Sequence, residues 1–288
     1  MDEIIKAISD DGFVSVSVIT SRELTERARN IHASTPVVTA ALGRTLAAAA
    51  MIGSNLKHPD ASLTVRINGG GPVGTIIVVA DNEGDVRGFV QNPLANVQNK
   101  VAGKLNVGGV VGKDGMLSVI KDFKDKEPYT GSTELVSGEI AEDFTAYFAV
   151  SEQIPSVCAL GVLIGRDRSV LAAGGYIAQL LPGAPEGLID ALEKNVNETG
   201  AVTDILLKGT AETLLDSIMS GFSPHIMERR CVGYKCKCNR EKFLAAVMSL
   251  DESDLNDILS KGEPIETRCQ FCESVYVFDT RELAAWNA

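Results

Sequence analysis

Four cysteines near the C-terminal end of this 288-residue chain carry the chemistry most legible in its sequence. Cys236 and Cys238 form a C-x-C pair, Cys269 and Cys272 form a C-x-x-C pair, and thirty residues separate the two. Two close-set thiol pairs on separate chain segments can supply four sulfur ligands to one tetrahedral ion, and zinc is the usual occupant. One Zn2+ per chain is therefore expected. Neither pair lies in an apolar run, where inert core cysteines sit. Thiolates are also the species that oxidants attack, and Lys235, Lys237, Arg240 and Arg268 flank the sulfurs, so the same site can be a switch as well as a staple. Spacing alone favours the staple and does not separate the two. Cys231 reads as a bystander, and Cys158, inside Ser156-Val157-Cys158-Ala159-Leu160, as a core residue.

Other chemistry is hard to find. Gly69-Gly70-Gly71-Pro72-Val73-Gly74 fits G-x-G-x-x-G, but Thr75-Ile76-Ile77-Val78-Val79 follows and reads as a strand. A dinucleotide site needs a helix there, so a hairpin turn is the better reading. His32, His58 and His225 share no metal-binding spacing. No Walker loop, nucleophile elbow or H-E-x-x-H motif occurs, and no enzyme activity is expected. Net charge is −11, nearly all of it in residues 1–228, and such a body repels a phosphate backbone. The chain starts Met-Asp-Glu-Ile-Ile-Lys without a signal-peptide pattern. Six cysteines in this length do not make a secreted disulfide scaffold, so a reducing, cytoplasmic setting is expected. The longest apolar helical stretch, Thr45 to Leu56, is bounded by Arg44 and Lys57 and is too short to span a bilayer.

The elements that must position the cysteines follow from periodicity. Gly12–Thr20 alternates Val14, Val16 and Val18 with polar residues, as a half-buried strand does. Thr35–Leu56, Ala-rich with Pro36 near its start, predicts a long buried helix. Strands are expected at 62–68, 75–80 and 85–91 as a meander, then at 115–123, 134–139 and 157–164, with a helix at 141–148. After the breaker cluster at 180–185, amphipathic helices are expected at 187–197 and 210–219. They read as a connecting segment. A helix at 240–250 lies between the cysteine pairs, and a strand at 274–279 follows them. The fold class is α+β: a mixed sheet and helix domain over 1–180, a helical linker over 181–228 and a small four-cysteine zinc domain over 229–288.

With these residues in view, the chain resembles the redox-regulated bacterial chaperone family known as heat-shock protein thirty-three. The array C-x-C…C-x-x-C before an aromatic strand carries the resemblance. So do Arg44 after Thr39-Ala40-Ala41-Leu42-Gly43, the passage Asn68-Gly69-Gly70-Gly71-Pro72 leading to Asp85-Val86-Arg87-Gly88-Phe89-Val90, and Gly174-Gly175-Tyr176-Ile177-Ala178-Gln179-Leu180-Leu181-Pro182-Gly183-Ala184. The likeness spans essentially the whole chain. It implies a nucleotide-independent holdase for unfolding proteins under oxidative stress. In the family's reduced state, zinc holds Cys236, Cys238, Cys269 and Cys272 and activity is low. Oxidation joins Cys236 to Cys238 and Cys269 to Cys272, zinc leaves, the zinc domain and linker unfold, and the protein dimerises.

On this reading, Leu188, Ile189, Leu192, Leu214, Leu215 and Ile218 contribute to client binding or to the surface that masks it. No nucleotide, membrane or specific nucleic acid is expected as a partner. Two other readings stand beside it. One is a zinc-ribbon protein that touches nucleic acid through Arg229, Arg230, Lys235, Lys237, Arg240 and Lys242. The other is an enzyme whose zinc is purely structural.

Overall fold

The computed structural model describes residues 1–99, 101 and 103–286. The chain divides into two compact units, Met1–Lys235 and Cys236–Ala288.

Two sheets frame the first unit. One has five strands in the order His225–Cys231, Glu3–Ile8, Val14–Thr20, Val170–Leu180, Ser156–Ile164, all antiparallel. The other has six, in the order Gly233–Tyr234, Asp85–Val90, Ile76–Asp81, Ser62–Gly70, Gly112–Asp122, Tyr129–Glu134. It contains the expected meander. Gly70 ends one strand and Ile76 begins the next, so the glycine run is a hairpin turn. It is glycine because the chain crosses the junction of helix Val107–Val111 and strand Gly112–Asp122 there: a Cβ on Gly69 or Gly71 would strike the backbone between Val110 and Gly112.

Helix Pro36–Gly53 packs against strands of both sheets. Thr35 is extended and Pro36 takes the first helical position, where its missing N–H costs nothing. Small side chains let strands approach from all round, and every residue of the last two turns is buried. Its one charged residue, Arg44, donates from Nη1 to the Glu139 carbonyl at 3.0 Å and to Glu139 Oε2 at 2.9 Å. The sequence placed its apolar part at 45–56, too short for a bilayer. The helix is in fact 18 residues long and passes that test by length and composition, yet 89% of it is buried inside the protein. The apolar surface serves the core.

The strand expected at 134–139 does not form; the strand there is Tyr129–Glu134. Its continuation is pulled from the sheet by Asp143, which is fully buried. Asp143 Oδ1 accepts N–H bonds from Val136, Ser137 and Gly138 at 2.8, 3.0 and 3.2 Å, and Oδ2 accepts from Ile140 at 2.9 Å. Ile140 is forced to φ 73, a region a β-branched residue rarely enters.

Helices Glu186–Thr199, Val202–Leu206 and Ala211–Ile218 cover the face of the five-stranded sheet turned away from Pro36–Gly53. Leu192, Leu214, Leu215 and Ile218 join Ile5, Val14, Val16, Val18 and Tyr176 in a second apolar cluster, with Leu188 packed against it. Ile189 is 40% exposed. Asn195 Nδ2 ties the first helix to the end of the third through the carbonyls of Ile218 and Ser220. The segment read from sequence as a connector therefore roofs a sheet. The expected boundary at 228/229 runs through strand His225–Cys231, which pairs with Glu3–Ile8, so residues 229–235 belong to the first unit.

Asp143→Ala strips four amides, two of them buried, of their acceptor. A loss of about 3 kcal/mol or more is expected, measured by urea unfolding. A change within experimental error would show that the turn is held by something else.

Candidate metal centre

In the second unit, helix Arg240–Met248 and helix Glu252–Lys261 precede a two-stranded hairpin, Ile265–Arg268 with Val275–Phe278, and helix Thr280–Trp286 follows. Asn239 caps the first helix, its side chain accepting the Lys242 N–H at 2.9 Å. Cys236 and Cys238 therefore lie on extended chain just before a helix start. Cys269 and Cys272 lie in the hairpin loop. That loop is closed by Cys269 N–H to the Ser274 carbonyl at 2.9 Å and Glu273 N–H to the Cys269 carbonyl at 2.8 Å, with Glu273 in the left-handed region at φ 59. The apolar core is small: Leu244, Val247, Phe278 and Leu283, with Phe243 and Tyr276 against it.

The fold brings all four sulfurs within 4.8 Å of one another. Cys236 Sγ lies 3.6 Å from Cys269 Sγ, and Cys238 Sγ lies 3.4 Å from Cys272 Sγ. A zinc ion bound to four sulfurs at about 2.3 Å sets tetrahedral edges of about 3.8 Å. The donor set fits such an ion in number, type and spacing. These two contacts run between segments and not within a pair, so an ion here joins the loop to the pre-helix strand.

Comparison with known proteins agrees. The family model described as Hsp33 protein matches residues 2–279. The chain belongs to the Hsp33 family. It is 45% identical over 283 residues to the 33 kDa chaperonin of Clostridioides difficile, covering 98% of this chain and 97% of that one. It is 44% identical to the 33 kDa chaperonin of Agathobacter rectalis, covering 98% of both. The crystal structure of the 33 kDa chaperonin (heat shock protein 33 homolog) of Thermotoga maritima superposes with a TM-score of 0.91 at 35% identity, over 98% of this chain and 96% of that one.

Acidity within the Hsp33-family cluster is uneven. Burial pushes Cys236 and Cys269 up. Burial also opposes ionisation of Cys272, but hydrogen bonding with Ser274, at 3.2 Å, and with Cys238 and Cys236 outweighs it and brings that thiol down to about 7. The flanking cations expected to favour thiolates are instead engaged elsewhere. Arg240 donates to the Val277 carbonyl at 2.7 Å, pairs with Glu282 at 2.5 Å and lies over the Phe278 ring. Arg268 pairs with Glu266 and Glu273. Lys235, in the first unit, pairs with Asp85 at 2.8 Å. Arg229 and Arg230 there pair with Glu212 and Glu228. The basic cluster that suggested a nucleic-acid patch is thus largely neutralised by carboxylates.

Tyr276 is the functional residue that sequence reading missed. Its hydroxyl lies 3.1 Å from Cys238 Sγ, and its ring stacks on Phe243 at 4.8 Å. The hydrogen bond to Cys238, and after it burial, push the phenol up to about 12. Its place four residues after Cys272 in an aromatic strand was the available signal. Cys231 and Cys158 lie in the first unit, exposed on a strand and buried respectively. Burial raises the Cys158 thiol.

Tyr276→Phe keeps four sulfurs and the ring but deletes this outer hydrogen bond. Metal retention is expected to weaken by about tenfold to a hundredfold, read by competition with a chromogenic zinc chelator. Equal retention would remove Tyr276 from the site.

Proposed function

We propose that this chain is a redox-switched, nucleotide-independent chaperone that acts by binding in the cytoplasm, not by catalysis. Cys236, Cys238, Cys269 and Cys272 hold one Zn2+ in the resting state. Oxidation joins Cys236 to Cys238 and Cys269 to Cys272, expels the ion and turns the protein on as a dimer that holds unfolding proteins. In this reading 1–180 is the scaffold, 181–228 the movable linker and Cys236–Ala288 the switch, with 229–235 joining them.

One observation carries the reading: sulfurs from the two segments meet, Cys236 with Cys269 and Cys238 with Cys272. An ion at that point closes a loop of some thirty residues, whereas disulfides within each pair close rings of three and four residues and tie no segment to another. The cross-link is lost even though two covalent bonds form. Structural zinc contributes about 10–16 kcal/mol in small modules, far more than a core of a few side chains can supply. Oxidation therefore melts the second unit. Val232–Lys235, which include strand Gly233–Tyr234 with its buried tyrosine, link it to strand His225–Cys231, an edge strand whose residues are mostly exposed. Fraying of that strand frees the C-terminal end of the roofing helices. Lifting them bares Ile5, Val14, Val16, Val18 and Tyr176 together with Leu188, Leu192, Leu214, Leu215 and Ile218. That is two complementary apolar surfaces of the kind that capture unfolded chains.

Peroxide treatment of the zinc-loaded protein is expected to release one zinc, consume four thiols and switch on suppression of heat aggregation, all reversed by dithiothreitol. Suppression that is equal before and after zinc loss would sink the proposal. A Leu214→Ser, Leu215→Ser double variant should loosen the roof without oxidation and raise basal suppression severalfold, as light scattering reads. Unchanged suppression in both redox states would exclude these leucines from mask and binding surface alike.

A further inference from the structure

The stretch from His225 to Lys235 borders both sheets in turn. His225–Cys231 pairs with Glu3–Ile8 at the margin of the five-stranded sheet, and Gly233–Tyr234 pairs with Asp85–Val90 at the margin of the six-stranded one. A single strap thus stitches the two sheets together just before Cys236. Its halves are held differently. No residue of His225–Cys231 is buried. Its side-chain pairs with Asp10 and Glu212 are exposed, and exposed pairs contribute little.

The second half is anchored. Val232 and Tyr234 are buried in the main apolar cluster. The N–H groups of Val232, Gly233 and Lys235 donate to the carbonyls of Asp2, Gly84 and Val86 at 3.1, 3.2 and 3.1 Å. Gly84 lacks the side chain that would block the strap: at φ 89, a Cβ there would lie 2.6 Å from the Cys231 carbonyl oxygen. The Tyr234 hydroxyl donates to the Gly88 carbonyl at 2.7 Å and accepts the Gly88 N–H at 3.3 Å. His32, the last residue of helix Arg22–His32, brings Nε2 within 2.9 Å of the same carbonyl. A carbonyl only accepts, so that nitrogen carries the hydrogen.

We propose that Tyr234 is the latch through which the metal centre holds the roofing helices shut. The inference rests on the chaperone reading and deepens it by naming the residue that passes the signal on. Melting of the second unit frees the chain from Cys236 onward, so peeling of the strap starts at Lys235. It meets Tyr234 and Val232 first. Once those two leave the core, no buried residue of His225–Cys231 resists further peeling. Arg229 then parts from Glu212, which lies on roofing helix Ala211–Ile218. In the zinc-loaded protein the latch keeps the strap on both sheets, and the roof stays closed.

Hydrogen exchange on the full chain, read by mass spectrometry, tests this. Tyr234→Phe keeps the ring and deletes both hydroxyl bonds. After peroxide has released zinc, the amides of 226–231 should exchange about tenfold faster than in the wild type, the scale of one or two hydrogen bonds. Those of Ala211–Ile218 should follow, and those of Ser62–Gly70, inside the second sheet, should not change. Zinc retention before oxidation, read by chelator competition, should match the wild type, because the four sulfurs are untouched. His32→Ala withdraws one donor from the Gly88 carbonyl and leaves the strap's own residues intact. It should act in the same direction by about threefold, and keeps the test alive if Tyr234→Phe does not fold. Wild-type exchange over 226–231 in both variants overturns the proposal. So does a strap that opens while Ala211–Ile218 stays protected, or a loss of zinc retention that matches the gain in exchange, because Tyr234 then acts on the metal centre. Aggregation suppression by the oxidised wild type is measured alongside. If it is absent while the strap responds as expected, the chaperone reading falls and the latch stands. If it is present while neither variant moves the strap, only the latch falls.

Discussion

The second unit rests on a cross-segment tie. Its apolar core centres on four buried side chains, and its first two helices carry mostly exposed residues. What brings the hairpin loop to the chain before helix Arg240–Met248 is the meeting of four sulfurs, 3.4 to 3.6 Å apart across the gap. The geometry makes those sulfurs good at two incompatible things. As separated thiolates they suit a tetrahedral ion; as neighbours along the chain they suit disulfides that join nothing else. A fold supported by ordinary side-chain burial would not be so exposed to a change in one type of bond. Ser274 adds direction to this arrangement through its hydrogen bond with Cys272, and Tyr276 through its contact with Cys238.

The first unit has no such single support. Helix Pro36–Gly53 gives both sheets a common apolar surface, and the five-stranded sheet is buried on both faces, by that helix on one and by helices Glu186–Thr199 to Ala211–Ile218 on the other. The two faces differ in how their covers join the rest. The inner one is continuous with the main core. The outer one is roofed by helices joined to the rest at Leu180 and at edge strand His225–Cys231.

Much of this was legible in the sequence where a single periodicity governs. The meander, the long alanine-rich helix and the amphipathic helices lie within a few residues of their expected places. The four cysteines were found by spacing alone. Sequence failed where a tertiary contact overrides local pattern. Leu135 to Glu139 looked like strand, but one buried carboxylate, Asp143, gathers its amides into a turn. Strand Val170–Leu180, rich in alanine and glycine, lacks the usual strand composition and is strand because two neighbours flank it. Lys235, Arg240 and Arg268 looked like cations that acidify thiols, yet each finds a carboxylate, and hydrogen bonds do that work at Cys272. The roofing helices were read as a tether because their apolar stripe says that something is covered, not what.

The all-round apolar character of Pro36–Gly53 has a further consequence for how the molecule is made. Its neighbours in space include strands as late as Val170–Leu180, so during synthesis this segment emerges well over a hundred residues before its surroundings are complete. Such long-range closure is slow. In that interval the nascent protein displays the kind of greasy, unsheltered stretch that its finished form is suited to grasp.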